Sequence, residues 1–245
     1  MVIEAFILCY NEERMIRHTL NHYTKFCERI TIIDNNSTDD SINLAKKYYP
    51  NVNVEFFDSG GQYREDLQIN IRNNCWKNSR ADYVIVCDMD EFLYAPDIRQ
   101  HLTLIKKNDV AIPIVYGYNM VSETFPGSYE TDITEQVKVG FRERFLDKNI
   151  IFNPSLVKEM NYGPGSHFCQ PVLTAEKRID PLLDFKLLHY KFLNKEYLYN
   201  KHTNYAERMS EINKQRGFGR EYLMGAKYVD DTFTMVNKYL YQVIN

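Results

Sequence analysis

The 245-residue chain has one tryptophan, no CxxC pair, no excess of basic residues and no apolar run near the length of a membrane-spanning helix. Each shortage excludes something. Without about 20 consecutive apolar residues, no segment is expected to cross a bilayer. A formal net charge of −3 argues against a nucleic-acid partner, because such modules carry a basic excess. The five cysteines, Cys9, Cys27, Cys75, Cys87 and Cys169, are odd in number and scattered. They read as reduced, mostly core thiols of a cytoplasmic protein. Met1 leads directly into a strand pattern, with no basic segment and no apolar signal core, so no signal peptide is expected. Internal repeats, low-complexity tracts and disordered linkers are also missing. Residues 1–245 are therefore expected to form one domain, with a 44% apolar fraction ordinary for a globular core.

What is present centres on residues 83–92, Tyr-Val-Ile-Val-Cys-Asp-Met-Asp-Glu-Phe. Residues 84–87 have no polar face and read as a central strand buried on both sides. Ionised carboxylates are costly to bury, so Asp88, Asp90 and Glu91 are expected where the strand leaves the sheet, at a crevice. Period two along an extended chain puts Asp88 and Asp90 on one side and Met89 on the other. Two converging carboxylates suit a hard cation such as Mg²⁺ or Mn²⁺, which takes oxygen ligands and holds phosphates. The alternative is a solvated acidic turn.

Upstream, the pattern alternates strand and helix. Strands are expected at 2–9, 29–34 and 52–57, and helices after 11, around 42–49 and over 64–78. Asn11 is the expected N-cap of the first helix. Short connections between such units imply a parallel sheet with helices on both faces, and ligands then bind beyond the carboxyl ends of the strands. Tyr10, Asn11, Asp34, Asp58, Asp88 and Asp90 all fall at such ends. Beyond Pro96 the alternation breaks. A helix is expected over 98–105 and a strand over 110–118, where Pro113 predicts an edge or a bulge. Short strands follow between 137 and 174, then a strand over 185–190. Two helices are expected at 194–214 and 221–243. The last packs on the core, with dimer or membrane-surface contact as alternatives.

Five segments together resemble the inverting, nucleotide-sugar-dependent glycosyltransferases of the GT-A fold, in particular the family-two group with a D-x-D-E-F signature. They are Cys9-Tyr10-Asn11-Glu12-Glu13, Ile33-Asp34-Asn35-Asn36-Ser37-Thr38-Asp39, Arg72-Asn73, Asp88-Met89-Asp90-Glu91-Phe92 and Leu188-His189-Tyr190. The likeness is strongest over 1–95 and looser over 96–190. It implies a mainly parallel, Rossmann-like sheet flanked by helices. Residues 1–95 would form the nucleotide-sugar half, 96–190 the acceptor half, and 191–245 C-terminal helices.

The resemblance implies transfer of a sugar from a nucleotide-diphosphate donor to a hydroxyl of a glycan or lipid-linked acceptor. It places the donor over Cys9, Tyr10, Asn11, Asp34, Asn36, Asp88 and Met89. Asp34 would accept the imide N–H of uracil, which favours a UDP-sugar; otherwise it caps the segment at Ser37. Arg64 and Arg72 would reach the nucleotide or its phosphates, Arg64 being favoured because it follows a Gly-Gly loop; otherwise they are exposed helix charges. Asp88, Asp90 and His189 would serve the metal, Mn²⁺ or Mg²⁺, with Asp90 the direct ligand. The general base is open between His167, on a glycine-rich loop, and Glu91. Residues 119–170 depart most from the scaffold and would select the acceptor.

Two other readings compete. A nucleotidyltransferase would want a glycine-rich basic loop after the first strand, where this chain has Tyr10-Asn11-Glu12-Glu13. A non-catalytic sugar-binding module would not need the acid cluster or His189. The expected location is the cytoplasm, with peripheral contact at the membrane face as an alternative.

Overall fold

The computed structural model describes residues 1–175 and 178–245, with backbone only for 178–184. The first half alternates as β1 (Ile3–Cys9), α1 (Ile16–Tyr23), β2 (Arg29–Asp34), α2 (Ser41–Tyr48), β3 (Asn53–Phe56), α3 (Glu65–Asn74) and β4 (Tyr83–Asp88). β1 is buried along its whole length. The strands lie in the order β3-β2-β1-β4, all parallel. β8 (Ile151–Phe152) adds an antiparallel edge beside β4. The chain builds outward from β1 to β3, then crosses to the other side of β1. That reversal opens a crevice at the carboxyl ends of β1 and β4. Register brings Leu8 beside Asp88 and Cys9 beside Asp34 at this edge.

A second five-stranded sheet completes the molecule. It takes β5 (Glu91–Tyr94), β6 (Val110–Val121), β7 (Val139–Arg142), β11 (Arg178–Phe192) and β12 (Tyr241–Gln242), in the order β12-β7-β6-β11-β5. β9 (Val157–Glu159) and β10 (Val172–Leu173) form a small ribbon. The remaining helices are α4 (Ile98–Lys107), α5 (Ile133–Gln136), α6 (Lys195–Glu207), α7 (Glu211–Arg216) and α8 (Gly225–Val236). This is an α/β, GT-A-like architecture. Among the described residues, no helix is long and apolar enough to cross a membrane.

Only Met89 and Asp90 separate β4 in one sheet from β5 in the other. α1 pins that turn. Thr19 Oγ1 donates to Met89 O at 2.6 Å, and Tyr23 OH donates to Glu91 O at 2.8 Å. Met15, Ile16, Leu20 and Tyr23, which recur at helical spacing, are fully buried.

Several expectations needed correction. Asn11 does not cap α1. It takes a left-handed φ of 51°, and its side-chain oxygen accepts from Thr38 N at 2.7 Å, tying the first turn to the second. α3 stops at Asn74 rather than 78. Pro113 falls as expected: β7 joins β6 only at 118–120, so among the described pairings the proline has β11 on one side alone, and β11 slips register between Asp180 and Phe185 beside it. The strand expected over 185–190 is the end of a longer one. The helix expected at 194–214 breaks between α6 and α7, where Ser210 caps a new start. The one expected at 221–243 begins as a 3-10 turn, restarts at Gly225 and ends at Val236.

Candidate active site

At the carboxyl edge of β1 and β4, three cavities join. One of about 280 Å³ is lined by Tyr10, Asn11, Arg14, Asp39 and one side of α6. A narrow one of about 80 Å³ holds Cys9, Asp88, Met89, Asp90, His189, Lys191 and Lys201. The third, about 640 Å³, runs from Arg72, Asp88 and His189 out to Phe145, His167 and α8. Lys201 lines the first two, and Asp88 and His189 line the last two.

The acids are oriented by cations. Asp90 is buried, and its Oδ2 meets Lys201 Nζ at 2.7 Å and His189 Nε2 at 3.3 Å. Burial alone would raise its pKa, but Lys201 and His189 outweigh burial and hold the carboxyl well below its usual range. Asp88 Oδ1 accepts from Arg72 Nη2 at 2.7 Å. Burial pulls its pKa up, and Arg72 and Lys148 together bring it down. Strand alternation had put both acids on one side with Met89 opposite. The turn replaces that alternation, yet Asp88, Met89 and Asp90 all line the narrow cavity.

His189 arrives from β11, paired with Glu91 of β5 and Asn119 of β6. Its Nδ1 lies 2.9 Å from Asn119 Oδ1, which accepts from Nδ1–H, while Nε2 points at Asp90 Oδ2. Metal-binding histidines are usually held this way through their second nitrogen. Among the described residues, no three His, Cys, Asp or Glu groups gather closely enough to hold an ion alone. The donor set nevertheless fits a cation in kind. Asp90 and His189 adjoin, Asp88 Oδ2 has no hydrogen bond among the described residues, and diphosphate oxygens would complete the shell.

Glu91 is buried and committed. Its Oε1 receives Lys148 Nζ at 2.5 Å, and its Oε2 receives Asp88 N at 3.1 Å. It braces the acidic turn. His167 faces the large cavity, its ring stacked on Phe145 at 4.1 Å. Its Nδ1 lies 2.9 Å from Phe145 O, which leaves Nε2 as the acceptor. Burial, then Lys148, pushes its pKa down to about 3.

Asp34 is fully buried, and Ser37 occupies it, through N at 2.8 Å and Oγ at 2.5 Å. Neither it nor Asn36 lines the three cavities. Arg64 forks onto Asp66 at 2.8 and 2.7 Å. Arg72 is buried between Asp88 and Glu65, not an exposed helix charge. Asp132 lies apart, with His22 and Lys25. Sequence reasoning missed Lys148, Lys191, Lys201 and Tyr205. Only the helical spacing of Tyr197, Lys201 and Tyr205, at four-residue intervals on α6, signalled a shared face.

Residues 5–166 match the family described as glycosyl transferase family 2. The chain belongs to that family. No curated protein matches it significantly. Among solved structures, S. aureus TarS is similar over 97% of this chain and 44% of its own, at 12% identity and a TM-score of 0.50. The 1–349 segment of TarS, in complex with UDP-GlcNAc, gives 13% identity and a TM-score of 0.49 over 97% of this chain and 74% of that one. Glucosyl-3-phosphoglycerate synthase from Mycobacterium tuberculosis, solved with Mn²⁺, UDP and glucosyl-3-phosphoglycerate, gives 15% identity and a TM-score of 0.33 over 48% and 44%. At these identities the likeness to TarS speaks to the fold, and family 2 membership rests on the matched segment.

Proposed function

We propose that this family 2 protein transfers a sugar from a UDP-sugar to a hydroxyl of a glycan or lipid-linked saccharide, with inversion and with Mn²⁺ or Mg²⁺. The observation that carries the reading is the approach of His189 to Asp90 at 3.3 Å, at the switch-point edge of the sheet, in a family 2 chain.

Asp90 and His189 would hold the cation together with donor diphosphate. When bound, the cation offsets diphosphate charge and stabilises the departing UDP. Asp88, aimed by Arg72, would meet the ribose or a metal-bound water. Cys9, Tyr10 and Asn11 would hold the base, Tyr10 and Asn11 from the first cavity and Cys9 and Tyr10 from the narrow one beside it. Asp34 supports them indirectly, since Ser37, which it holds, accepts from Asn11 N at 2.9 Å. The acceptor hydroxyl attacks the anomeric carbon from the face opposite the diphosphate. The bond to the β-phosphate oxygen breaks with its electron pair on UDP. His167 Nε2 takes the acceptor proton, because both oxygens of Glu91 are already engaged. All 245 residues act as one domain, in which α6 and the segment before α8 wall the donor site.

Calorimetric binding of UDP, with GDP and CMP as controls and with or without Mn²⁺, tests the reading. Metal-dependent UDP binding, lost in Asp90→Ala and His189→Ala variants that still melt cooperatively, is the expected result. Full turnover of a UDP-sugar by Asp90→Ala would remove the metal argument. Glycan binding without turnover of any nucleotide sugar would leave a binding module.

A further inference from the structure

Among the described residues, the groove contains a cation with no paired anion. Arg64 is spent on Asp66, Arg72 on Asp88 and Glu65, Lys148 on Glu91, and Lys201 on Glu12 and Asp90. Lys191 makes no hydrogen bond or ion pair among the described residues, and the ring of Tyr222 lies 5.5 Å from its Nζ. Glu221 and Asp90 act on it only at longer range. Yet it is half-buried and borders both the narrow cavity and the large one.

Its position is built by the strand. Period-two alternation along β11 puts His189 and Lys191 on one face and Tyr190 on the other. Tyr190 goes fully into the core, while His189 and Lys191 both line the groove. A partly desolvated ammonium without a counter-charge is costly, and an arriving anion recovers that cost.

We propose that Lys191 is the residue that recognises the donor's diphosphate and stabilises it as it leaves. The inference rests on the donor reading above, and it moves the phosphate contact expected of Arg64 or Arg72 to a residue outside the segment matched to the family. Lys191 shares the narrow cavity with Asp88, Asp90 and His189, so an anion held there also meets the proposed metal ligands. The ammonium forms no covalent bond and gives up no proton. It offsets charge that grows on the β-phosphate as the sugar departs, and so discriminates a diphosphate from a monophosphate.

The test is calorimetry on the full chain with UDP and with UMP, in Mn²⁺, for wild type, Lys191→Gln and Lys191→Arg, with thermal melting of each. Lys191→Gln should melt as wild type does and lose about tenfold or more in UDP affinity, the size of one charge-assisted hydrogen bond. Its UMP affinity should change far less, so the preference for UDP over UMP collapses. Lys191→Arg, which keeps the charge, should restore most of that preference. Wild-type UDP affinity in a folded Lys191→Gln would overturn the assignment and leave the donor reading standing. If the wild type binds neither nucleotide, the donor reading fails and the assignment falls with it.

Discussion

Lys201 donates to Asp90 at 2.7 Å and to Glu12 at 2.8 Å, joining the helix after β11 to the turns after β1 and β4. Asp90 is buried, and Glu12 and Lys201 are largely so. Burial pushes Glu12 up to about 7, against the pull of Lys201, while Asp90 and Glu12 hold the Lys201 ammonium well above its ordinary value against burial. Removing one partner of a buried ion cluster leaves the others uncompensated, at about 3–5 kcal/mol. Lys201→Met should therefore lower the urea midpoint markedly. Adding Asp90→Asn should restore part of the loss, because Asp90, held ionised well below its usual range, is the carboxylate left uncompensated. A double variant no more stable than the single one would refute the coupling.

Arg72 spans Glu65 at 3.2 Å and Asp88 at 2.7 Å, and Glu65 also accepts from Gly165 N at 2.7 Å. The guanidinium thus links the Asp88 turn, through Glu65, to the loop that carries His167. A lysine keeps the charge but lacks the fork to reach two carboxylates at once. Arg72→Lys should cost about 1–3 kcal/mol of stability and lower turnover further than that loss explains. Denaturant titration and kcat together check it, and unchanged values for both would show that the bridge is incidental.

The buried strand over 83–88 and the crevice at its end were legible because their chemistry is local. An all-apolar run ending in Asp88, Asp90 and Glu91 announces both a buried strand and a crevice, whatever surrounds it. That His189 comes to lie beside Asp90 followed only from the resemblance, by its order in the chain. Asn11 was misread as a cap because capping and turn-bridging use the same side-chain oxygen, and its left-handed φ is invisible without coordinates. The ion pairs of Arg72, Lys148 and Lys201 join residues far apart in sequence, and no spacing rule predicts which carboxylate a long basic side chain will find. Lys191 differs again, since among the described residues it lacks the ion pairs that Arg72, Lys148 and Lys201 have.

Asp132 gives a stability test remote from the groove. It is buried against His22 at 3.3 Å and Lys25 at 2.7 Å. Burial raises its pKa, but the hydrogen bond and charge of His22, then Lys25, carry it well below the usual carboxylate range. A carboxyl with a lower pKa folded than unfolded contributes stability above the unfolded value of about 4, and that contribution is lost as pH falls toward the folded value. Wild type should therefore lose about 2 kcal/mol more than Asp132→Asn between roughly pH 5 and pH 2. Parallel urea midpoints for the two across that window would show that Asp132 carries no linkage.

His167 offers the sharpest test of the chemistry. In the free protein its pKa is held near 3 by burial, with Lys148 next and His189 in the same direction. The carbonyl of Phe145 and the charge of Asp88 pull the other way. The ring is thus neutral at pH 5–8, with Nδ1–H fixed on Phe145 O, and can accept a proton at Nε2. A donor diphosphate entering the cavity brings negative charge and raises that pKa, making the ring a stronger base in the complex. The acidic limb of kcat should then lie at higher pH than that of kcat/KM, which reports the free protein. His167→Gln should keep UDP affinity and lower kcat by about a hundredfold or more. An unchanged kcat would exclude His167 as the base, and equal losses of UDP affinity and kcat would make it a donor contact instead.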